Sequence, residues 1–344
     1  MVPRPWLVAV LLVAASALAP LGQAEHPAEE VTLVVVDGPR HDLAFDREGP
    51  MQPLYEAPGV TFANDTWTAG PAKTVPGHAA LLSGKAQPVA NDGSQRPEEP
   101  LVWDQLAEDR GWGADEMRWL YQKDKLVVVA SDHAGGGRVA GGPPDEAMLE
   151  ALEANTSQAQ ARLVVAAFAR PDDTGHEGDW SAHRASLATI AEGIAPLLEQ
   201  AGEDELVVVT ADHARYCQEP DDHGRVGPLG AVDECDAHVP LWVAGWHTRS
   251  NATVDACLTQ ADVGVLVAEA AGAGLPEAEG AFPEPLVNSS AAWPGQGCPP
   301  ERGGGPLGVP GPGLAPIVIS AAIAAVLRRS ARAAVGGQRG VPLG

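Results

Sequence analysis

Carboxylate and imidazole side chains repeatedly stand next to apolar runs in this sequence. The runs at residues 31–36, 163–168 and 206–209 are each followed closely by such a side chain, and a fourth run begins at one. The residues concerned are Asp37, Asp172 with His176, Asp212 with His213, and His238. Carboxylate oxygens and imidazole nitrogens are donors that zinc and related divalent ions accept. Three aspartates and three histidines placed in this way predict two metal sites suited to in-line displacement at phosphorus.

A single Asp-His pair after an apolar run is weak evidence, because such a pair also occurs in ordinary turns. Residues 126–130 illustrate this, since the sequence predicts a strand there and Asp132 and His133 follow it as a near copy of the later pair. Residues 135–142 are typical of a loop and supply no further ligand. We therefore predict that Asp132 and His133 take no part in the metal centre.

A threonine stands where a helix begins. Residues 79–83 predict a helix that stops at Gly84, with Pro76 in its first turn and Thr74 at the N-cap position. The first turn of a helix presents unpaired N–H groups and a partial positive charge, which favour an anion. The Thr74 hydroxyl is therefore either a helix cap or a nucleophile whose alkoxide is stabilised by the helix dipole and a metal.

The apolar runs indicate strands that are buried on both faces, because they are β-branched and bounded by polar residues. Helices are predicted between the strands, at residues 103–110, 144–160, 182–201 and 262–271. This alternation predicts an α/β fold, a single domain with a mostly parallel central sheet covered by helices on both faces. Ligands bind at the carboxyl edge of such sheets, so the acidic and imidazole residues should meet there. Asp172 and His176 are expected across a Gly-containing turn, and His183 is expected on the surface of the next helix.

The charge balance limits the partners of the protein. The 344 residues carry 46 acidic and 22 basic side chains, which gives a formal net charge of -24. This disfavours a nucleic-acid polymer as a partner, because phosphate backbones require a basic surface. A small phosphorylated substrate is compatible with the charge, since bound metal ions reverse the local field.

Both ends of the sequence predict export to the cell surface. An apolar run after Arg4 is typical of a secretory signal peptide, although an uncleaved anchor is the alternative. A second apolar run near the C-terminus ends in arginines, as in a membrane anchor or a cleaved sorting signal. The predicted segments are a signal peptide at 1–24, the main domain at 25–292, a Pro/Gly-rich stalk at 293–313, an anchor or sorting segment at 314–332 and a tail at 333–344. Sequons for N-glycosylation begin at Asn64, Asn155, Asn251 and Asn288.

The cysteines agree with an exported protein. Four are present, at Cys217, Cys235, Cys257 and Cys298. Four cysteines permit three pairings, and we predict Cys217–Cys235 and Cys257–Cys298. Each bond would close a loop and stabilise the fold by about 3 kcal/mol in the chain-entropy model. A cysteine zinc site is disfavoured because no C-x-x-C spacing occurs.

Five motifs together resemble the alkaline phosphatase superfamily, most closely its nucleotide pyrophosphatase/phosphodiesterase branch. They occur in the order that the family shows and cover about residues 31–275. They are V-V-V-D-G-P-R (34–40), K-T-V-P-G-H (73–78), D-D-T-G-H (172–176), T-A-D-H (210–213) and H-V-P-L (238–241). Each motif alone is weak, but five in register are specific.

The resemblance implies two divalent metal ions, with Zn²⁺ expected and Mn²⁺ or another divalent ion as alternatives. The positions that match the ligands of one ion are Asp37, Thr74, Asp212 and His213. The positions that match the ligands of the other are Asp172, His176 and His238. Thr74 also matches the nucleophile, which forms a phosphothreonine intermediate. Asn91 matches an asparagine that donates a hydrogen bond to a phosphoryl oxygen.

Two departures distinguish this chain from the branch that it resembles. Pro76-Gly77-His78 stands where the branch has Pro-Asn-His, and the region that selects nucleotides is not recognisable. The resemblance implies an extracytoplasmic phosphoester hydrolase, a phosphodiesterase first of all. A phosphomonoesterase, a phosphotransferase and a non-catalytic metal-binding surface protein are the alternatives. The sulfatase branch is disfavoured, because the C/S-x-P-x-R pattern is absent around Thr74.

Overall fold

The apolar runs form the centre of one β-sheet. A computed structural model describes residues 26–156, 161–215 and 234–287, all of which belong to one domain. The strands are β1 (Glu30–Val36), β2 (Thr61–Trp67), β3 (Met117–Tyr121), β4 (Gly135–Arg138), β5 (Leu163–Phe168), β6 (Glu205–Ala211), β7 (His238–Gly245), β8 (Ala252–Val254) and β9 (Leu258–Thr259). They pair in the order β4-β3-β5-β1-β6-β7-β2-β8, and β9 also pairs with β2.

The register of the central strands places their ends at one level. Strand β1 lies between β5 and β6 and is parallel to both, so that Val36 pairs with Phe168 on one side and with Ala211 on the other. Strand β7 is antiparallel to β6 and to β2. Its first residue, His238, therefore lies at the same edge as the last residues of β1, β5 and β6. The predicted mostly parallel sheet is confirmed.

Helices cover both faces of the sheet. They are α1 (His41–Ala44), α2 (Gln52–Glu56), α3 (Thr74–Ser83), α4 (Val102–Arg110), α5 (Pro144–Thr156), α6 (Arg170–Glu177), α7 (Trp180–Gln200), α8 (Glu234–Ala237), α9 (Gln260–Ala270) and α10 (Glu284–Val287). Alternate residues of β1 face opposite cores: Leu33 packs with α3, α4 and α9, whereas Val34 packs with α2, α5 and α7. This alternation explains why the strand sequences are apolar throughout.

One strand was wrongly predicted. Residues 126–130 do not form a strand, because Asp124–Val129 is a 3-10 helix that buries Leu126, Val128 and Val129. The strands in this region are β3, which ends at Tyr121 before the 3-10 helix begins, and β4, which occupies the first half of the loop expected at residues 135–142. A short apolar run has no periodicity that separates a strand from a buried helical turn, and this accounts for the error.

Several sequence expectations concern residues outside the described ranges. The signal peptide, the stalk and the C-terminal anchor or sorting segment all lie there and stay predictions. Within the described ranges, none of the helices combines the length and apolar character that crossing a bilayer requires. Cys235 and Cys257 are both disulfide-bonded. Cys217 and Cys298 lie outside the described residues, so the pairing stays a prediction.

Candidate metal and nucleophile site

Three of the expected ligands meet at the carboxyl edge of the sheet. Asp37 follows β1, and Asp212 and His213 follow the neighbouring strand β6. One donor atom from each residue lies within 4.8 Å of the other two, and all three residues are buried. His213 Nε2 is 3.3 Å from Asp37 Oδ1 and 3.7 Å from Asp212 Oδ2. The parallel register of the two strands thus produces a compact donor set.

Backbone groups hold Asp212 and His213 in place. Asp212 Oδ1 accepts hydrogen bonds from the backbone N–H of Gly38, at 3.2 Å, and from that of His213, at 2.9 Å. His213 Nδ1 lies 3.0 Å from the carbonyl oxygen of Ala214, to which it can donate. In the neutral ring, that contact would place the proton on Nδ1 and leave Nε2 with the lone pair that a metal ligand needs.

Thr74 is the first residue of α3 and is buried against this cluster. Its hydroxyl oxygen lies 3.4 Å from Asp37 Oδ1 and 3.4 Å from His213 Nε2. The N-cap of α3 is Lys73, and no side chain caps it. The expected N-cap position of Thr74 is therefore wrong by one residue, and the structure leaves its hydroxyl directed at the acidic cluster instead. The predicted stop at Gly84 is confirmed, since this residue is the left-handed C-cap.

Gly77 allows α3 to approach the end of β6. A Cβ atom on Gly77 would lie 2.8 Å from the carbonyl carbon of Asp212. Such a contact is too short for any side chain, so an asparagine at this position could not keep the same backbone approach. The departure from the Pro-Asn-His pattern therefore has a local structural reason.

His78, the next residue of α3, supports the cluster from behind. Its Nδ1 atom lies 2.8 Å from the backbone oxygen of Thr74 and 3.4 Å from Asp212 Oδ2. Both the His78 side chain and Asp212 are buried. His78 thus connects the first turn of α3 to Asp212 and helps to fix the nucleophile candidate relative to the carboxylate.

The charges of the cluster shift the protonation of its members. Burial alone would lower the pKa of His213, but the carboxylates of Asp212 and Asp37 raise it to about 9. Burial alone would raise the pKa of Asp212, but the charges of His213 and His78 lower it to about 2. The metal-free protein therefore keeps an imidazolium between two carboxylates at neutral pH, and a bound cation would replace that proton.

The donor set fits a divalent ion. Among the described residues, Asp212 Oδ2 is a buried carboxylate oxygen that accepts no hydrogen bond of ordinary geometry, since His78 Nδ1, 3.4 Å away, also lies 2.8 Å from the carbonyl oxygen of Thr74. A buried charged oxygen of this kind is costly unless a cation satisfies it. Two carboxylates, an imidazole nitrogen and a threonine hydroxyl are donors that Zn²⁺ or Mn²⁺ accepts. Asp37, Thr74, Asp212 and His213 could therefore hold the first ion that the resemblance implies.

The second expected ligand set is arranged differently. Asp172 and His176 lie on α6, a helix and not the expected turn, and they are one helical turn apart. The His176 side chain is 53% exposed, and its Nε2 atom lies 3.3 Å from Asp172 Oδ2. The His238 Nδ1 atom is 2.9 Å from His41 Nε2, and its Nε2 atom is 2.8 Å from the carbonyl oxygen of Asn64. In this arrangement the set does not fit a metal ion.

Two cations that the sequence analysis did not single out contact Asp172. Lys123 Nζ contacts Asp172 Oδ2 and lies 2.7 Å from Asp37 Oδ2. Arg215 is buried, and its Nη2 atom donates to Asp172 Oδ1. Burial alone would lower the pKa of Lys123, but Asp37 and Asp172 raise it. Because β3 was misplaced, Lys123 did not stand out as a residue that follows a strand.

Asn91 lies beside the beginning of α3. Its Oδ1 atom accepts a hydrogen bond from the backbone N–H of Val75, at 2.9 Å, and lies 3.4 Å from Lys125 Nζ. Burial, together with the charge of Lys123, lowers the pKa of Lys125. Asn91 and Lys125 therefore border the first turn of α3, and the role of Asn91 in substrate binding stays a prediction.

Two other histidine predictions have clear outcomes. His183 is buried and not on the surface: its Nε2 atom accepts from the backbone N–H of Arg40, and its Nδ1 atom lies 2.7 Å from the carbonyl oxygen of Pro171. Helical periodicity could not show this, because the partners come from distant segments. Asp132 and His133 are exposed and lie after the 3-10 helix, away from the cluster.

Comparison with known proteins supports the superfamily. Residues 143–255 match the model of the Metalloenzyme superfamily, a segment that contains Asp172, His176, Asp212, His213 and His238. No curated protein sequence matches the chain. The fold is similar to that of a protein in the alkaline phosphatase superfamily from Vibrio parahaemolyticus, and the expected fold is confirmed.

Solved structures with a similar fold have been named as several kinds of enzyme. A putative sulfatase from Bacteroides thetaiotaomicron has a TM-score of 0.59 and 13% identity, over 78% of this chain and 76% of that one. A phosphonate monoester hydrolase from Silicibacter pomeroyi has a TM-score of 0.54 and 12% identity, over 77% of this chain and 78% of that one. Murine ectonucleotide pyrophosphatase/phosphodiesterase 5, solved as an inactive variant in complex with AMP, has a TM-score of 0.54 and 13% identity. The match covers 74% of this chain and 98% of that one. At these identities the likeness is in the fold alone.

Proposed function

We propose that this protein is a metal-dependent phosphoester hydrolase, first of all a phosphodiesterase, and that Thr74 is its nucleophile. The observation that carries the proposal is the position of the Thr74 hydroxyl, 3.4 Å from both Asp37 Oδ1 and His213 Nε2 at the start of α3. A hydroxyl at a helix N-terminus beside a carboxylate and an imidazole is suited to nucleophilic attack on an anionic ester.

The residues that would hold the divalent ion are Asp37, Thr74, Asp212 and His213. Zn²⁺ is the expected ion, with Mn²⁺ or another divalent ion as alternatives. When bound, such an ion favours the alkoxide form of a threonine hydroxyl and stabilises negative charge on a phosphoryl group. Gly38 and Ala214 hold Asp212 and His213 through backbone contacts, so the donors need little rearrangement.

The Thr74 hydroxyl would lose its proton to solvent, its oxygen would attack phosphorus, and the bond from phosphorus to the leaving oxygen would break. The leaving alkoxide would take up a proton from solvent. Water would then cleave the phosphothreonine and restore the hydroxyl. The Asn91 amide and the Lys125 ammonium, which lie beside the first turn of α3, would bind phosphoryl oxygens, and the helix dipole there would favour their negative charge. If an alcohol replaced water in the second step, the same site would act as a phosphotransferase.

The proposal includes a small phosphorylated substrate and no nucleic-acid polymer, as the net charge of -24 favours. It also includes an extracellular or cell-surface location, with the C-terminal segment attached to a membrane. The two terminal apolar runs support that location. Disulfide-bonded Cys235 and Cys257 agree with it, because disulfides persist outside the cytoplasm.

An ester panel tests the proposal. The purified protein, Thr74→Ala, Thr74→Ser and the control Thr156→Ala are assayed with Zn²⁺, Mn²⁺ or Ca²⁺. The substrates are p-nitrophenyl phosphate, bis(p-nitrophenyl) phosphate and p-nitrophenyl sulfate. We expect the diester to turn over fastest, Thr74→Ala to lose about 10³-fold or more and Thr74→Ser to keep part of the rate. Among the described residues, the Thr156 hydroxyl donates to the carbonyl oxygens of Leu152 and Glu153 in α5, so its removal should change little.

Three results would contradict the proposal. Undiminished turnover by Thr74→Ala would remove Thr74 from the reaction. Hydrolysis of the sulfate ester alone would assign the protein to another ester class. Metal binding without hydrolysis of any ester would favour a non-catalytic surface protein.

A further inference from the structure

Both oxygens of the Asp172 carboxylate are paired with cationic side chains of the protein. Lys123 Nζ contacts Oδ2, and Arg215 Nη2 donates to Oδ1. Lys123 Nζ also lies 2.7 Å from Asp37 Oδ2. The ammonium group therefore bridges two buried carboxylates that the resemblance assigns to two different metal ions.

The surroundings of Arg215 are shaped to fit its guanidinium group. A Cβ atom on Gly175 would lie 2.7 Å from Arg215 Cζ, so only glycine leaves room for the guanidinium beside α6. The backbone of Arg215 is fixed as well, since its N–H donates to the carbonyl oxygen of Pro39 and its carbonyl oxygen accepts from His41. A buried arginine held on both sides is a permanent positive charge next to Asp172.

The imidazoles expected at the second ion have other surroundings. His176 is largely exposed on α6, and the two nitrogens of His238 face His41 and the carbonyl oxygen of Asn64. A second divalent ion on Asp172 would have to displace Lys123 and would still lie beside Arg215. Two adjacent like-signed charges in a buried site oppose such binding.

We infer that Lys123 takes the place of the second metal ion, so that the protein binds one divalent ion and uses the Lys123 ammonium group as the second positive charge of the centre. An ammonium group has three N–H donors, and the carboxylates of Asp37 and Asp172 engage two of them. The sequence contains four lysines among its 344 residues, so a lysine at this position is not part of a generally lysine-rich surface. The contribution of Lys123 to turnover rests on the proposed function, whereas the metal stoichiometry does not.

Metal content and lysine accessibility test this inference without an activity assay. The whole exported protein is stripped with a chelator, reloaded with Zn²⁺ or Mn²⁺ and analysed for bound metal. In parallel, its lysines are labelled with an amine-reactive reagent and quantified by mass spectrometry, with Lys85 as the reference. We expect one equivalent of tightly bound metal, with Lys123 labelled at least tenfold more slowly than Lys85 both before and after loading.

Two results would overturn the inference. One is the binding of two tight equivalents by the unaltered protein. The other is rapid labelling of Lys123, either in the metal-free protein or after metal is added, because an ammonium that a second ion displaces must leave its two carboxylates.

Variants measure the contribution of the charge to turnover. We expect Lys123→Met to keep one equivalent of metal but to lose at least 100-fold in kcat/KM, Lys123→Arg to restore part of the loss, and the control Lys85→Met to stay within twofold. Lys85 pairs with Glu99 outside the site. Unchanged turnover by a folded Lys123→Met would contradict the inference. If no variant and no parent hydrolysed any ester, the proposed function would fail, but a single equivalent of metal with a protected Lys123 would still support this inference.

Discussion

Two Asp-His pairs in this molecule have the same two residue types but different surroundings. Asp212 and His213 follow β6, which pairs with β1 along its whole length, so Asp37 lies beside them. Asp132 and His133 follow a 3-10 helix and are exposed. The buried pair has a third donor and backbone groups that fix its geometry, whereas the exposed pair belongs to no such donor cluster within the part of the chain that the structure describes. A pair of ligand-type residues becomes a candidate site only when its strand has a neighbour that ends at the same level.

Substitution of each pair gives the largest expected contrast. We expect Asp212→Asn combined with His213→Ala to abolish tight metal binding and to lower turnover by about 10³-fold or more, because two of the donors are lost. The matched double variant Asp132→Asn with His133→Ala should retain its metal affinity and its turnover rate within twofold. Metal analysis and the diester assay measure the two effects. Equal losses in the two double variants would contradict the distinction between the pairs.

The close approach of α3 to β6 at Gly77 should affect stability and metal binding, because it lies beside the buried pair Asp212 and His213. Gly77→Ala would place a Cβ atom 2.8 Å from the carbonyl carbon of Asp212. We expect a loss of about 1–3 kcal/mol in the free energy of unfolding, together with weaker metal binding, because the backbone must shift. The control is Gly202→Ala, where a Cβ would meet nothing within 4 Å. Urea unfolding of both variants measures the difference, and equal midpoints would show that α3 can move away without cost.

A smaller contrast concerns pH. The pKa of His213 is raised from 6.5 to about 9, so the stability that its protonated form contributes is complete below pH 6.5 and is lost as the pH rises through 9. Metal binding must displace the same proton. The apparent metal affinity should therefore rise by up to about tenfold per pH unit between those values.

Buffered metal titrations at several pH values test this prediction, with melting temperatures recorded in the presence and absence of chelator. His133→Ala should show the same pH dependence as the parent protein. A metal affinity that stays constant from pH 6.5 to 9 would remove His213 from the ligand set.

Part of this architecture could be predicted from the sequence, for physical reasons that apply to particular residues. The apolar runs of β1, β5 and β6 have no polar face, which requires a sheet covered on both sides, and such strands end together. From this pattern alone, Asp37, Asp212 and His213 could be predicted to lie close together. Thr74 was found because a helix start beside Pro76 has a recognisable sequence pattern.

Other features depend on contacts that sequence periodicity does not encode. His183 is on a helix whose pattern leaves it outside the apolar stripe, yet segments from Pro171 and Arg40 cover it. Arg215 and Lys123 meet at Asp172 from two segments far apart in the chain. The glycines that make room for these contacts, Gly77 and Gly175, could be interpreted only after their neighbours were known.

The most direct test of the central claim is to trap the covalent intermediate. The metal-loaded protein is mixed with excess bis(p-nitrophenyl) phosphate, quenched with acid within one turnover and digested with trypsin, which should release residues 74–85 as one peptide because Lys73 and Lys85 flank it. The account predicts a p-nitrophenyl phosphoryl group on Thr74, because one p-nitrophenolate leaves and the second aryl group stays on phosphorus, and Thr74→Ser should carry the same adduct at the same position. Turnover without any phosphorylated peptide, or with the group on Ser83 instead, would contradict it.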